Sequence, residues 1–272
     1  MALKRPIAVI KVGGDVLLGE SERTGLAQNI RDLSNANWQI VILHGGGPQV
    51  DNLQKLHGLE TKKVGGRRIT SPEDLVVIKQ AICGEANTNL VQLLQDFGIN
   101  AFGCSGNSGK LIQATQRPPR VTSGAGSDPI HFGEVGDVTG INTQLILHLM
   151  DAGLVPVIAT LGVEKNSGRI FNINADTTVV QIAKFIKADL LLLSTSVGAI
   201  FEDLSKPETR IKRINSIIAA ELIGKQIIQG GMIPKVEEAL KVPCKVAIVG
   251  PQISGAFISI ADGKTDFGTT ID

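Results

Sequence analysis

The sequence predicts an α/β fold, a three-layer sandwich with helices on both faces of a mostly parallel central sheet. Three observations carry this. Short β-branched or leucine-rich runs recur at Ile7–Val12, Ile40–Leu43, Ile99–Phe102, Val155–Ala159, Leu190–Leu193 and Val246–Val249. They alternate with polar, helix-periodic stretches, the order that joins parallel strands through crossover helices. Several runs are apolar at every position, as strands covered on both faces must be.

The elements follow in order. Ile7–Val12 ends in Gly13-Gly14, and a helix-like stretch from about Glu22 to Asn35 comes next. Ile40–Leu43 runs into His44-Gly45-Gly46-Gly47-Pro48, which opens a helix to about His57. Lys62–Thr70 holds four basic residues around Gly65-Gly66 and reads as a hairpin or loop. Ser71, Pro72, Glu73 and Asp74 make a helix start: a capping hydroxyl, proline at the first position, then acids at the positive dipole end. That helix extends to about Phe97, with Gly84 as its weak point. Arg117–Gly140, rich in Pro, Gly, Ser and Thr and without periodicity, reads as a surface excursion with room for short hairpins. Ile141–Ala152 is helical, and after Asn174 the residues Ala175, Val179, Ile182, Ala183 and Ile186 share one helical face. Helices near Ser216–Gln229 and Pro234–Leu240 precede the last run. No linker composition intervenes, so two lobes, 1–168 and 169–272, are expected to share one sheet, with a seam near Val163–Asn174.

Composition narrows the function. The 272 residues carry 27 basic and 26 acidic side chains, a net charge of +1. Bulk charge therefore supplies no attraction to nucleic acid or a membrane surface. Eight Phe, one Trp and no Tyr leave few stacking platforms for bases. Cys83, Cys104 and Cys244 form no CxxC pair, which fits a reducing compartment and no zinc motif. Lys11 cuts the first apolar run too short for a signal peptide. The longest uncharged apolar stretches, Ala152–Val163 and Leu190–Phe201, are shorter than a bilayer requires. The expectation is a cytoplasmic protein with a small-molecule substrate and neither a nucleic-acid nor a membrane partner.

Ligands of open parallel sheets sit beyond the carboxyl ends of the strands. Two glycine clusters fall there, Lys11-Val12-Gly13-Gly14 and His44-Gly45-Gly46-Gly47. Glycine permits close backbone approach, and successive N–H groups before a helix form an anion nest. One cluster alone would read as a tight turn; two at one sheet edge, with Lys11 beside the first, point to phosphate. The familiar phosphate loops are absent. Gly103–Lys110 has Cys104 where a Walker loop needs its first glycine and lacks Ser or Thr after Lys110. Asn172-Ile173-Asn174-Ala175-Asp176 places three polar side chains at a helix start, more than capping needs. Asp176 is a candidate organiser of cations and Asn172 a candidate substrate ligand. Gly230-Gly231-Met232-Ile233-Pro234-Lys235 puts Lys235 in a first helical turn, against the dipole, where either an anionic ligand or plain solvation accounts for it. Arg67 and Arg68 are two-pronged partners for a carboxylate, or a solvated surface pair. His44, His57, His131 and His148 have no metal-ligand spacing and read as structural or loop residues; no metal-binding side chain is expected.

Five segments in order, IKVGG (10–14), HGGGP (44–48), GRRIT (66–70), FNINAD (171–176) and GGMIPK (230–235), resemble the amino-acid kinase family over essentially the whole chain. The resemblance implies ATP- and Mg²⁺-dependent phosphorylation of a carboxylate without a covalent enzyme intermediate. The acceptor it points to is the γ-carboxylate of N-acetyl-L-glutamate, in arginine biosynthesis. Aspartate, glutamate or an aminoadipate derivative are the alternatives within the fold, and a non-catalytic nucleotide- or amino-acid-binding regulator the alternative outside it. By resemblance, Lys11 stabilises the transferring phosphoryl, Lys235 the leaving ADP, and Asp176 holds both ammonium groups. Gly13, Gly14, Gly45 and Gly46 present amides to phosphate. Gly46, Gly47, Arg68, Asn172 and Asn174 hold the acceptor, with Arg68 on its α-carboxylate. The C-terminal lobe takes ATP and the N-terminal lobe the acceptor and the dimer contact. Thr195 stands near a usual aspartate, as does Ser108, and the segment 117–134 is longer than expected. The chain lacks the N-terminal helical extension of hexameric, arginine-inhibited relatives, so a homodimer is expected.

Overall fold

The structure, a computed structural model, describes residues 4–65, 67–121 and 128–272. Strand β1 (Ile7–Val12) leads into α1 (Glu20–Asn35), β2 (Gln39–His44) and α2 (Gly47–Leu56). A small hairpin pairs β3 (Lys63–Val64) with β4 (Arg67–Arg68). Helix α3 (Pro72–Ile78) passes through a π-helical segment, Lys79–Ala86, into α4 (Asn87–Asp96). Then come β5 (Ala101–Ser105), β6 (Ile112–Gln116), β7 (Gly136–Ile141), α5 (Thr143–Asp151), β8 (Val155–Ala159), β9 (Leu161–Val163) and β10 (Ile170–Asn172). The remainder is α6 (Ala175–Phe185), β11 (Leu190–Ser194), the hairpin β12 (Ile200–Phe201) and β13 (Arg210–Ile211), and β14 (Arg213–Ile214). It closes with α7 (Ser216–Gly224), α8 (Met232–Ala239), β15 (Lys245–Val249), α9 (Ala256–Ala261) and β16 (Thr269–Ile271).

The main sheet has the order β14-β16-β15-β11-β1-β2-β8-β5. Its pairings are parallel except β15 with β16. Alternation along the strands sorts the core into two layers. Val9, Val41, Leu43 and Leu191 pack with Ile146 and Met150 of α5, Val179 and Ile182 of α6, and Val236 of α8. Ala8, Ile10, Ile42 and Leu192 face the other way, onto Leu26 and Ile30 of α1, Leu90 and Leu94 of α4, and Phe257 and Ile260 of α9. Each fully buried aliphatic side chain contributes roughly 1.5–3 kcal/mol, and this two-sided burial is why the strands read as continuous apolar runs. The sheet is the three-layer sandwich expected, and strands from both halves of the chain build it. No helix among the described residues is long and apolar enough to cross a membrane.

Local signals account for the boundaries. Ser71 caps α3 with a reciprocal box: its Oγ accepts from the Asp74 N–H at 3.1 Å, and Asp74 Oδ2 accepts from the Ser71 N–H at 2.9 Å. Gly84, the expected weak point, lies in the π-helical segment. Three expectations need adjustment. The helix from Ser216 stops at Gly224, and Gln226 turns the chain at φ +57°. Residues 136–140 belong to β7, which joins β6, β9 and β10 in a second, four-stranded sheet. Residues Arg120 and Ile130 pair as an isolated bridge, while residues 122–127 of the same excursion lie outside the described residues. The terminal α9 and β16 were not anticipated.

Candidate active site

β1 ends with Val12 in register with His44 of β2 and Ser194 of β11, so three strands open their carboxyl ends onto one edge. The glycine turns divide their work. The Gly13 N–H donates to Ser194 O at 3.3 Å and the Gly45 N–H to Val12 O at 3.1 Å, which ties the turns to the sheet. Among the described residues no acceptor meets the amides of Gly14 and Gly46, so these two are the donors available to a ligand. Gly14 lies against the start of α2. A Cβ there would sit 2.8 Å from Pro48 Cδ and 3.0 Å from the Gly47 nitrogen. Gln49 Nε2 donates to Gly14 O at 2.9 Å and completes the clasp.

His44 supports this loop from within. Asn87 Nδ2 donates to His44 Nε2 at 2.9 Å and also to Val157 O at 2.9 Å. The ring must then carry its proton on Nδ1, which donates to Gly45 O at 2.9 Å. Burial pushes its pKa down to about 4. The histidine is a neutral structural strut.

Lys11, near the end of β1, is 8% exposed. Its Nζ lies 3.1 Å from Asp176 Oδ1. Asp176 sits in the first turn of α6, where the dipole favours a carboxylate. Asn174 caps that helix, its Oδ1 accepting from the Thr177 N–H at 3.0 Å. Lys235 occupies the first turns of α8. Burial, and after it the Lys11 charge, push its pKa down, while Asp176 and Asp15 pull it up. The structure thus brings Lys11, Asp176 and Lys235 into one electrostatic group, with the direct ion pair between the first two. Asp15 was missed by sequence reasoning, although an acid directly after Gly13-Gly14 was a signal. Burial pushes its carboxyl up, but the Ser196 amide at 3.0 Å, the Ser196 hydroxyl at 2.7 Å and Lys11 hold it below the ordinary range.

Beside this group lies a cleft of about 280 Å³. Gly45, Gly46, Gly47, Arg68, Asn172 and Asn174 line it, together with the apolar Ile78, Ile82, Val135 and Ile173. Asn172 Nδ2 donates to Thr70 Oγ1 at 3.1 Å, which leaves its carbonyl oxygen for a ligand. Arg68 is held firmly: its Nη2 lies 2.5 Å from Asp51 Oδ1, and its Nη1 donates to Gln54 Oε1. Asp51 also pairs with Lys63 at 2.7 Å. Arg117, unremarked in the sequence, is 5% exposed in the cleft wall; it pairs with Asp137 at 2.7 Å and lies over the Phe132 ring at 5.7 Å. A smaller recess of about 90 Å³ shares Arg67, Arg117 and Asn174 with the cleft and reaches Asp176 and Gly231.

A lysine–aspartate pair joining the central strand to the start of a helix, beside a cationic cleft and two amide-bearing glycine turns, is an arrangement suited to a small-molecule kinase. The chain belongs to the amino acid kinase family, whose model matches residues 6–245. An acetylglutamate kinase from Anaeromyxobacter dehalogenans (strain 2CP-C) is 38% identical over 268 residues, spanning 97% of this chain and 98% of the relative. Another from Methanopyrus kandleri is 39% identical over 244 residues, 89% of this chain and 93% of the relative. Among solved structures, smu.665 from Streptococcus mutans UA159 aligns with a TM-score of 0.76 at 28% identity, covering 97% of this chain and 98% of that one. N-acetylglutamate synthase from Neisseria gonorrhoeae shares the fold, with a TM-score of 0.77 at 21% identity; the match covers 98% of this chain and 59% of the synthase.

Proposed function

We propose that the protein transfers the γ-phosphoryl group of ATP to the γ-carboxylate of N-acetyl-L-glutamate, giving N-acetyl-L-glutamyl 5-phosphate, a step of arginine biosynthesis. The observation that carries this reading is the Lys11–Asp176 pair at 3.1 Å beside a cleft walled by Arg67, Arg68 and Arg117. The near full-length similarity to acetylglutamate kinases supports the choice of acceptor.

The roles follow from charge. The acceptor carboxylate is ionised at pH 7, so no general base is needed. The barrier lies in alignment and in charge on the transferring group. Lys11 offers its ammonium to the phosphoryl in flight and Lys235 to the departing diphosphate. Asp176 positions Lys11 directly and acts on Lys235 through its field. Gly14 and Gly46 donate amides to phosphate oxygens, while Gly13 and Gly45 hold the turns in shape. Arg68 and the carbonyl of Asn172 hold the acceptor, with Gly46, Gly47 and Asn174 completing the wall. Lys235, desolvated, and Ser194 Oγ, buried without a hydrogen bond among the described residues, support an anionic, polar ligand at this corner. Mg²⁺ bound with ATP would neutralise phosphate charge; Asp15 and Asp176 are the carboxylates that act on Lys235 at this corner. We assign ATP to residues 169–272 and the acceptor and dimer contact to 1–168, in a homodimer; sedimentation as a hexamer contradicts that state.

The test is ADP release from MgATP with N-acetyl-L-glutamate, L-glutamate, L-aspartate and N-acetyl-L-aminoadipate in parallel. Turnover with the first is the expected result. Turnover confined to another acid reassigns the acceptor, and silence with all four from folded protein removes the catalytic reading.

A further inference from the structure

The acceptor cleft holds more positive charge than N-acetyl-L-glutamate can match. Its wall contains Lys63, Arg67, Arg68 and Arg117 and no acidic side chain. Behind the wall, Asp51 serves both Lys63 and Arg68, and Asp137 serves Arg117. Arg67 is the exception: among the described residues no hydrogen bond or ion pair reaches its guanidinium, although it is half-buried and lines both the cleft and the adjoining recess. Arg120 lies in the same recess, within electrostatic reach of Arg67 and Arg117. The acceptor's γ-carboxylate is spent on the phosphoryl side, and its α-carboxylate answers one cation. At least one positive charge in the wall then remains without a counterpart. A half-buried guanidinium kept among like charges is unfavourable unless an anion comes to it.

We infer that the cleft takes N-acyl-L-glutamates whose acyl group itself ends in a carboxylate, of the N-succinyl type, and binds them more tightly than the N-acetyl form. This deepens, and rests on, the reading of the protein as an N-acylglutamate kinase. The apolar side chains Ile78, Ile82 and Val135 line the same cleft and provide a surface for the added methylenes. The terminal carboxylate reaches Arg67, with Arg117 as its neighbour. Arg67 lies in a two-residue strand of a surface hairpin and is not part of the core, so it can be replaced without loss of packing. Arginine suits this task because its fork grips a carboxylate through two parallel bonds.

The experiment compares steady-state turnover of N-acetyl-L-glutamate, N-succinyl-L-glutamate and N-glutaryl-L-glutamate at saturating MgATP, for the full-length protein and for Arg67→Leu and Arg67→Lys. The expected result is a KM for N-succinyl-L-glutamate at least about tenfold below that for N-acetyl-L-glutamate, the size of one charge-assisted contact. Arg67→Leu should erase that ratio and Arg67→Lys should restore part of it. Equal or poorer use of the succinyl compound by an enzyme that phosphorylates N-acetyl-L-glutamate overturns the inference and leaves the kinase reading standing. So does an Arg67→Leu variant that weakens both acids alike, which would place Arg67 on the α-carboxylate, or one that raises only the KM for ATP. Turnover of none of the three acids removes the kinase reading itself and the inference with it.

Discussion

Replacing Asp176 by asparagine keeps the shape of the side chain and deletes the charge between two lysines. Lys11 would lose a partner at 3.1 Å. With an effective dielectric constant of about 20, that contact is worth roughly 5 kcal/mol before desolvation. The side chains are 10% and 24% exposed, and a Lys11 ammonium no longer held against the developing charge should remove about 3–4 kcal/mol of transition-state stabilisation. At 1.36 kcal/mol per tenfold, kcat should fall by about 10² to 10³, with little change in the KM of the acceptor. Lys235 loses one of the two carboxylates that raise its pKa. Its proton therefore leaves at lower pH, and the alkaline limb of the pH–rate profile should move to lower pH in Asp176→Asn. A coupled ADP-release assay across pH reads both effects. A variant that keeps more than a tenth of kcat, with an unmoved alkaline limb, would refute the assigned role.

Three further outcomes are expected. In the unsubstituted enzyme, burial and Lys11 lower the Lys235 pKa, so activity should decline on the alkaline side before the ordinary lysine range of about 10.4; a flat profile to pH 10 contradicts this. Gly14→Ala drives a methyl into Pro48 and Gly47; it should cost about 1–3 kcal/mol of stability and raise the KM for ATP, and an unchanged melting temperature and KM would count against the clasp. His44 has a folded pKa of about 4 against 6.5 unfolded. The unfolded chain takes up the proton first as pH falls, so the histidine's stabilisation is complete above about 6.5 and is lost towards 4. Its size is about 3 kcal/mol. A resonance for His44 titrating near 6.5 would contradict the buried strut.

The strands were legible because a centre of a parallel sheet buried on both faces leaves an unbroken apolar run, as in Leu190–Leu193. Caps such as Ser71 and the glycine turns after β1 and β2 were legible because their chemistry is local. What was not legible depends on partners distant in sequence. Asn87 reaches His44 across 43 positions, and Arg117 finds Asp137 across a segment that reads as an aperiodic surface excursion. β7 was hidden because Gly136, Asp137 and Gly140 break the alternation that identifies a strand. In the sequence Asn174 serves equally as a helix cap or, by resemblance, as an acceptor ligand; its oxygen caps α6, and the two uses are indistinguishable in a string of letters. Arg67 and Arg68 looked alike in sequence and differ in the fold, since Arg68 alone meets Asp51.

The proposed chemistry is carboxyl phosphorylation by the group around Lys11. It is tested most directly by incubating the protein with MgATP and N-acetyl-L-glutamate, trapping the product with hydroxylamine, and measuring hydroxamate against ADP. One hydroxamate per ADP, abolished in Lys11→Ala that still folds, is the predicted result. ADP without hydroxamate, or undiminished hydroxamate from Lys11→Ala, would contradict it.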